Sequence, residues 1–530
     1  MKCFELLKKC TESVSNTRAA FCLSAFPSRP APQESPLHKC VVRLLNDRFP
    51  RLGLMFGACD SRHLGTFASL AAEKLSFCNT PVFGQHSAEL QRTLTNTIAG
   101  RLALPKKFLW PTSSGGRKSG DNINQLLWSP KGGTHATHSV SLAGITSSTA
   151  VYSFEKGNRA VPQQGGGLLF DSITLSYVAL LHTVKSQGLY RCGGSRTRLS
   201  GGSDLLDKLV IYCSDQVDPH LTAVARLLGF VHVRTLLTVV NKTARNYSLS
   251  VEELKEKIGE DLGNGLFPAL VVGVFGSQCS GGVDPLEEMS QFCAATGVWF
   301  HIDASYGIFG LLQQEGEALG HSFSQADSVC VALSNPALPG GLARSPGSLS
   351  SVCLFVADTR KVAYCQRDLL EARTSTSYNH VRDTARDDAF GFALPTASPN
   401  GLLQLSVDLL CSDREKEMQH TQQCLATLQQ LLHADGRFDC SISSSSFGFI
   451  LFKFSFLSDE QTEQLADEWI RVLSEGDALM SLDVYVRVIV LQRRVWIALS
   501  TGVTSDNPVQ DAKSVYDSLK CVADGACPSA

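Results

Sequence analysis

The sequence lacks several features that would suggest a function directly. It contains 18 cysteines but no CxxC pair, so neither a zinc site nor a thioredoxin-type redox pair is expected. No apolar run approaches the roughly 20 residues that a membrane-spanning helix needs. The 48 lysines and arginines form no concentrated stripe and the net charge is -2, so no nucleic-acid partner is expected. The cysteines are therefore interpreted as reduced thiols of a cytoplasmic protein.

The motifs of three large enzyme classes are also missing. Gly165-Gly166-Gly167 does not begin a G-x-G-x-x-G fingerprint, because Phe170 stands where the third glycine belongs, so a dinucleotide enzyme is not expected. The sequence has no G-x-S-x-G elbow, which argues against an α/β-hydrolase. It has no P-loop pattern G-x-x-x-x-G-K-[ST] either, and no repeat period.

The N-terminal third contains two segments of unusual composition. Residues 1–37 are predicted to be a disordered leader, because they include the proline-rich stretch PSRPAPQESP. Basic residues in this leader leave a mitochondrial location as an alternative to the cytoplasm, although Glu5 and Glu12 are atypical of a transit peptide. Residues 112–164 are rich in Gly, Ser and Thr without a period, and are predicted to be a disordered insertion or an error in the gene model.

The rest of the chain has the periodicity of a folded α/β protein. Residues 38–111 are predicted to form a helical segment, with apolar side chains three and four residues apart. From 165 to 356, short apolar strands alternate with helices, which predicts a mostly parallel sheet covered by helices on both faces. Residues 357–530 are predicted to form a smaller α+β domain packed on the first. The helices and strands expected in these two domains are strands 208–214, 233–240, 268–277, 298–304, 447–454, 484–491 and 495–501, and helices 218–230, 250–265, 284–297, 413–433, 459–473 and 508–522.

The stretch GVWFHIDASYG, residues 297–307, places a carboxylate at the tip of an apolar strand. In open parallel sheets, ligands bind beyond the carboxyl ends of the strands, and Asp303 lies in that zone. An aspartate is rarely buried without a partner. Asp303 is therefore either a candidate ligand-binding group or a helix cap or salt-bridged loop acid.

Several motifs, occurring in order, resemble one enzyme family. They are SDQVDPHLTAVARLLG, VVGVFGS, GVDPLEEMSQFCAATGVWFHIDASYG and ADSVCVALSNP, preceded by GGGLLFDSITLSYVALL and followed by GRFDCSISSSSFGFILFKF and VWIALSTGVTS. Together they resemble the group II pyridoxal-phosphate-dependent amino-acid decarboxylases. The resemblance covers roughly residues 40–111 and 165–525.

This resemblance implies a fold, a cofactor and a set of site residues. The implied fold is the fold-type-I architecture of pyridoxal-phosphate (PLP) enzymes, with a mostly parallel large domain, a small C-terminal α+β domain and a homodimeric assembly. Asp303 matches the aspartate that pairs with the pyridinium nitrogen and keeps the ring an electron sink. Ser172, Thr174 and Ser277 match positions where the family places small hydroxyl residues around the cofactor. Helix capping is an alternative role for these hydroxyl groups.

The main departure from the family concerns the lysine that forms the Schiff base. If Asn335-Pro336 is matched to the family's Asn-Pro, Leu338 takes the place of the lysine. If the spacing from ADS is kept without gaps, Asn335 takes it. The chain has no lysine between Lys257 and Lys361. The pattern is also similar to the pyridoxal-dependent decarboxylase domain-containing proteins, whose corresponding turn is lysine-free.

Two further departures affect the cofactor ring and the substrate. The family's SDQ-x-His segment places a histidine over the ring, but here Asp218 stands at that position. His220, two residues later, is then either a shifted equivalent or a solvent-facing helix residue. An arginine of the family's C-terminal strand matches Trp496, which cannot form a salt bridge with a substrate.

Three functional hypotheses follow. The first is a divergent PLP-dependent carboxy-lyase homologue, a pseudoenzyme in which catalysis is impaired or lost because the lysine is replaced. Cofactor binding would then be weakened or lost, and any ligand would be a small amino acid. The second is an active decarboxylase that uses an unrecognised lysine or whose sequence contains a gene-model error. The third is a dimeric scaffold without a cofactor.

Overall fold

The chain was analysed as a computed structural model, which describes residues 36–37, 39–41, 83–111, 164–193, 205–242, 245–313, 322–333, 352–365, 402, 405–406, 409, 414–442, 444–475, 484–501 and 507–526. Two of the predicted segments, the leader 1–37 and the insertion 112–164, lie outside these residues except at their edges. Residues 42–82 of the predicted helical segment 38–111 and the turn containing Asn335 and Leu338 also lie outside them. Within the described residues, no helix is long and apolar enough to cross a membrane.

The first part of the fold alternates strands and helices as the sequence predicts. Its elements are α1 (Phe83–Arg101), β1 (Gly166–Phe170), α2 (Ile173–Gly193), β2 (Leu209–Ser214), α3 (Pro219–Leu227), β3 (His232–Leu236), β4 (Val239–Asn241), β5 (Asn246–Ser248), α4 (Val251–Gly263), β6 (Phe267–Val274), α5 (Leu286–Thr296), β7 (Trp299–Asp303), α6 (Ile308–Gln313), β8 (Ser328–Ala332), β9 (Val352–Val356) and α7 (Thr359–Cys365).

In the described residues the larger sheet has seven strands in the order β1-β9-β8-β7-β6-β2-β3. Neighbouring strands from β8 to β3 pair in parallel, whereas β9 runs antiparallel to both β8 and β1. The predicted mostly parallel α/β fold is therefore confirmed. Strands β2 and β7 are buried along their whole length, as expected for strands that are covered on both faces.

Two hydrophobic cores cover the two faces of this sheet. Side chains from α2 and α3 pack on one face, with Leu180 and Leu221 among them. Helices α1, α4 and α5 pack on the other face, with Leu94, Leu254 and Met289 among them. Helix α7 follows the predicted domain boundary at 356, yet its Val362 is buried in the same core as α2.

Helix ends follow the local chemistry of the sequence. Asp218 caps α3, and its carboxylate accepts the backbone N–H of His220 at 2.7 Å. The hydroxyl of Ser250 accepts the backbone N–H of Glu253 at the start of α4. Gly297 ends α5 in the left-handed conformation with φ of 70°, which glycine adopts without strain. The three predicted helices therefore begin and end close to their predicted positions.

The predicted strand 233–240 is wrong in one respect, because it divides into β3 and β4, which belong to different sheets. The division falls at Leu237-Thr238. The N–H and hydroxyl of Thr238 donate to the carboxylate of Asp215 at 3.2 and 2.7 Å. This long-range bond turns the chain away from the sheet, although the apolar run alone would favour one continuous strand.

The second part of the fold is a four-stranded antiparallel sheet with the strand order β10-β11-β13-β12. One face packs on helices around Leu428, Trp469 and Leu519. Phe449 and Leu451 point to the other face and join the same core as the large sheet. The predicted strand 447–454 is shortened, because Ser445–Phe447 forms a 3-10 turn. The elements are α8 (Arg414–Ala434), β10 (Phe438–Asp439), β11 (Ile450–Phe454), α9 (Asp459–Glu475), β12 (Val484–Leu491), β13 (Arg494–Thr501) and α10 (Pro508–Ala526).

The two sheets meet closely at Gly276, just beyond β6. This glycine has φ of 79°, and a Cβ placed on it would lie 2.4 Å from the ring of Phe447. Phe447 also packs edge-on against Phe275, with ring centroids 5.4 Å apart. The contact requires a residue without a side chain at position 276. It fixes the small sheet against the carboxyl edge of the large one.

Gly276→Ala is expected to destabilise the protein much more than Gly265→Ala. Gly265 also has positive φ, at 75°, but a Cβ there would meet nothing within 4 Å. Its substitution should cost about 1–2 kcal/mol of backbone strain, whereas the clash at Gly276 should add about 1–3 kcal/mol. Denaturant unfolding of both variants measures the difference. Equal losses for the two variants would show that the contact with Phe447 is not tightly packed.

Candidate functional site

Polar side chains from three strand ends meet at the carboxyl edge of the large sheet. Asp303 ends β7, Ser277 follows β6, and Asp215-Gln216 follows β2. Because these strands are neighbours in one parallel sheet, their carboxyl ends lie side by side. Asp218 joins the group at the start of α3.

Asp303 is buried, with 4% of its surface exposed, and three donors of the protein hold it. The backbone N–H and the hydroxyl of Ser305 donate to Oδ1 at 3.1 and 2.5 Å. The hydroxyl of Tyr177, on α2, donates to Oδ2 at 2.9 Å. Burial raises the pKa of Asp303, while the hydrogen bonds from Ser305 lower it and the nearby charge of Asp218 raises it. Among the described residues, no ion pair places a cation on this carboxylate.

Asp218 is the second buried carboxylate of the site. Its Oδ2 accepts the hydroxyl of Tyr306 at 2.9 Å, and its Oδ1 lies 2.8 Å from Nδ1 of His220. Burial, and then the charge of Asp218, raises the pKa of Tyr306, so this phenol stays protonated. The side chain of His220 is 57% exposed, which fits a solvent-facing helix residue better than a group stacked over a buried ring.

The hydroxyl of Ser277 organises the loop that follows β6. It donates to Oε1 of Gln216 at 3.1 Å and accepts the backbone N–H of Ser280 at 3.0 Å. Ser280 donates to the same oxygen of Gln216 at 2.9 Å. Ser277 is thus at the predicted edge of the sheet, where it ties the loops after β2 and β6 together.

Ser172 and Thr174 lie at the start of α2, as predicted. The hydroxyl of Ser172 accepts the backbone N–H of Leu175 at 3.2 Å, so it caps its own helix. Thr174 is half-buried in the first turn. A cofactor role for either residue stays a prediction.

Two lysines of the described residues, Lys361 and Lys107, lie at the opposite edge of the sheet. Lys361 has its Nζ 5.2 Å from the ring centroid of Trp299, the first residue of β7. Lys107 donates to the carbonyl of Ala326, just before β8, and burial lowers the pKa of Lys107 to about 8. At about 3.3 Å per residue, the five-residue strand β7 separates Trp299 from Asp303 by roughly 13 Å.

A cavity of about 190 Å³ also lies at this opposite edge. Gln187, Arg191, Trp299, Asp327 and Lys361 contribute to its walls. The side chain of Arg191 closes one side by donating to the carbonyl of Gly297 at 2.7 Å. This cavity is therefore separate from the carboxylates of Asp303 and Asp218.

Sequence reasoning missed four residues of the site: Tyr177, Ser305, Arg487 and, as an acid beside Asp303, Asp218. Arg487 had a recognisable pattern, because it shares one face of β12 with Ile489 and Leu491, which are buried in the core between the sheets. A charged residue on the buried face of a strand is unusual. Trp496, which matched the family's arginine, is buried in that core.

Comparison with known proteins agrees with this geometry. Residues 158–337 match the family model described as the pyridoxal-dependent decarboxylase conserved domain. The chain is similar to the aromatic-L-amino-acid decarboxylase of Manduca sexta, with 32% identity over 166 residues that cover 31% of each chain. It is 31% identical to tryptophan decarboxylase 2 of Oryza sativa over 144 residues, 27% of each chain. The matches span less than a third of the length of these relatives.

Similarity of fold extends over nearly the whole chain. The crystal structure of Oryza sativa TDC with PLP and tryptamine superposes with a TM-score of 0.60, at 17% identity, over 99% of this chain and 96% of that one. The fold is thus that of the fold-type-I PLP-dependent decarboxylases. The domain that residues 158–337 match is described as pyridoxal-dependent, and the Oryza sativa structure that shares the fold contains PLP, so PLP is the cofactor to compare with the site.

The residues around Asp303 fit the ring nitrogen of that cofactor. A carboxylate has about four lone-pair sites, and the donors on Tyr177 and Ser305 occupy three of them. The remaining site can accept the N–H of a protonated pyridine. This cation would also neutralise a buried carboxylate that has no other cationic partner among the described residues.

Tyr177→Phe is expected to destabilise the protein by about 1–3 kcal/mol, because it leaves Oδ2 of the buried Asp303 without its donor. The loss should be largest at pH 8 and should shrink towards pH 5. The pKa of Asp303 is higher in the folded than in the unfolded state, so the free energy of unfolding falls as the pH rises from the unfolded to the folded pKa. Removing the tyrosine donor raises the folded pKa further, so the variant loses more stability at high pH.

Tyr212→Phe is the matched control, because Tyr212 is also buried and donates to an aspartate, Asp261, at 2.9 Å. Burial raises the pKa of Asp261, but hydrogen bonds from Arg234 and Tyr212 outweigh that effect and bring it below its usual value. The cost of this control should therefore be constant from pH 5 to 8. Urea unfolding across that range measures both variants, and a pH-independent loss for Tyr177→Phe would contradict the assignment.

Proposed function

We propose that this protein is a divergent PLP-dependent amino-acid decarboxylase homologue that holds the cofactor weakly and has little or no decarboxylase activity. The observation that supports cofactor binding is the buried carboxylate of Asp303 at the carboxyl end of β7, which lacks a cation among the described residues. Impaired catalysis is supported by the sequence, which has no lysine from 258 to 360. A small amino acid is the proposed ligand, and a cytoplasmic homodimer stays a prediction.

Each residue near the carboxyl edge has a proposed role in holding the cofactor. Asp303 would accept the pyridinium N–H, while Tyr177 and Ser305 keep its carboxylate oriented. Bound pyridoxal phosphate would supply an electron sink for a carbanion at the ligand. Ser277 and Gln216 would keep the loops around the ring closed. Ser172 and the start of α2 would lie next to the phosphate.

Among the described residues, Tyr306 and His220 are candidates for moving protons at this site, and neither is well suited to it. The hydroxyl of Tyr306 donates a hydrogen bond to Asp218, and its raised pKa makes Tyr306 a weak acid that stays protonated and so cannot act as a base. His220 is largely exposed and engaged with Asp218. Replacement of the lysine removes both the covalent attachment of the cofactor and the nearby base. Loss of such a group typically costs orders of magnitude in rate.

The purified protein mixed with pyridoxal phosphate is expected to change the cofactor absorption in a saturable way. Borohydride followed by peptide mass spectrometry should find no lysine of the chain linked to the cofactor. A linked lysine would instead establish the active decarboxylase with a recruited lysine. A spectrum identical to that of the free cofactor at all concentrations would favour the scaffold without a cofactor.

Asp303→Asn is expected to weaken pyridoxal phosphate binding by about tenfold or more, since a charged hydrogen bond contributes about 1.5–3 kcal/mol. Without cofactor, the variant should be at least as stable as the parent protein at pH 8, because it removes an uncompensated buried charge. Asp261→Asn is the control, because Asp261, on α4, is buried and paired with Arg234 of β3. Unchanged affinity in Asp303→Asn would exclude the pairing with the ring nitrogen.

A further inference from the structure

Arg487 lies on the small sheet but reaches the loop that carries Ser277. It sits in β12 opposite Ala498 of β13, and its Nη2 donates to the backbone carbonyl of Gln278 at 3.4 Å. Gln278 follows Ser277 at the carboxyl edge of the large sheet. The close packing of Phe447 on Gly276 holds the two sheets together one residue before Ser277. Arg487 is thus positioned at the border of the candidate site.

The guanidinium of Arg487 is partly buried without a compensating anion. Burial lowers the pKa of Arg487, and the nearby groups that act against this are Cys279 and Tyr306. In the part of the chain that the structure describes, no ion pair neutralises it. Its hydrogen bond to the carbonyl of Gln278 is long, at 3.4 Å, and a guanidinium has five N–H donors. Most of its capacity to bind an anion is therefore still available.

Tyr306 connects this cation with the two buried carboxylates. Its hydroxyl donates to Asp218, and the charges of Asp218, Asp303 and Arg487 all act on its pKa. The site therefore carries two carboxylates on the side of the large sheet and one cation on the side of the small sheet. A ligand complementary to this arrangement carries a positive group next to Asp303 and a negative group next to Arg487.

We propose that Arg487 binds the carboxylate of an amino-acid ligand whose amino group has condensed with the aldehyde of the cofactor at Asp303, forming a C=N bond with release of water. This inference rests on the proposed function, because it needs the pyridine ring to be held at Asp303. A guanidinium forms two parallel hydrogen bonds with a carboxylate, and such pairs are stronger when partly desolvated. The arginine thus supplies from β12 the carboxylate contact that Trp496 on the adjacent strand β13 cannot make.

Binding of this kind opposes decarboxylation. Loss of carbon dioxide removes the negative charge that Arg487 would hold, so the salt bridge is stronger in the bound ligand than in the transition state. An interaction that stabilises the ground state more than the transition state slows the reaction. Arg487 therefore favours a protein that retains an amino acid over one that cleaves it, in agreement with the absence of the lysine.

The test uses two stable compounds that need no lysine for binding. They are N-(5′-phosphopyridoxyl)-L-alanine and N-(5′-phosphopyridoxyl)ethylamine, which differ only in the carboxylate. Isothermal titration of the full chain is expected to show that the alanine compound binds about tenfold more tightly or better. Arg487→Gln should remove this preference and leave the affinity for the ethylamine compound unchanged. Arg487→Lys should keep part of it, since an ammonium retains the charge but not the paired geometry.

Arg494→Gln is the matched control, since it removes the same charge from the exposed start of β13 in the same sheet. It should keep the full preference for the carboxylate. A parent protein that binds both compounds equally, or an Arg487→Gln variant that keeps the preference, would overturn the role of Arg487 while leaving the cofactor site intact. If neither compound binds the parent protein, both the cofactor site at Asp303 and the role of Arg487 are refuted. Circular dichroism of each variant excludes unfolding as the cause.

Discussion

The carboxylate of Asp303 is the constraint on which the rest of the site depends. It ends a strand that is buried on both faces, so water cannot solvate it and the protein must supply every partner. Tyr177 from α2 and Ser305 from the turn after β7 provide hydrogen bonds but no positive charge. Keeping this carboxylate ionised destabilises the folded protein unless a cation binds next to it. The position of α2 and the turn after the strand are both fixed by this requirement.

The position of the small sheet follows from a steric constraint at Gly276. The left-handed conformation of this glycine turns the chain beyond β6, and the missing side chain lets Phe447 pack against it. As a result, β12 lies close enough for Arg487 to reach the carbonyl of Gln278. Arg487 of the small sheet therefore lies beside the loop that carries Ser277, and its charge acts on Tyr306 together with the charges of Asp218 and Asp303.

Most of the fold could be predicted from local patterns, because buried parallel strands read as apolar runs and helix caps have short-range chemistry. The strand that ends at Asp303 and the caps at Asp218, Ser250 and Gly297 are examples. The division between β3 and β4 could not be predicted, because it depends on a bond from Thr238 to Asp215, 23 residues away. Tyr177 and Arg487 were missed for the same reason: their partners are 126 and 209 residues distant in the chain.

The buried charges of Asp303 and Arg487 are relevant to the function that the protein retains. An uncharged side chain at position 303 or 487 would avoid the cost of desolvating an ion, so a scaffold without a ligand would gain stability from losing either charge. Both charges are nevertheless present, and both act on the pKa of Tyr306. This arrangement suits a ligand with a cationic ring and a carboxylate. Lys361 and Lys107, by contrast, lie at the opposite edge of the large sheet. The described residues around Asp303 therefore favour a ligand-binding role over that of a scaffold without a ligand.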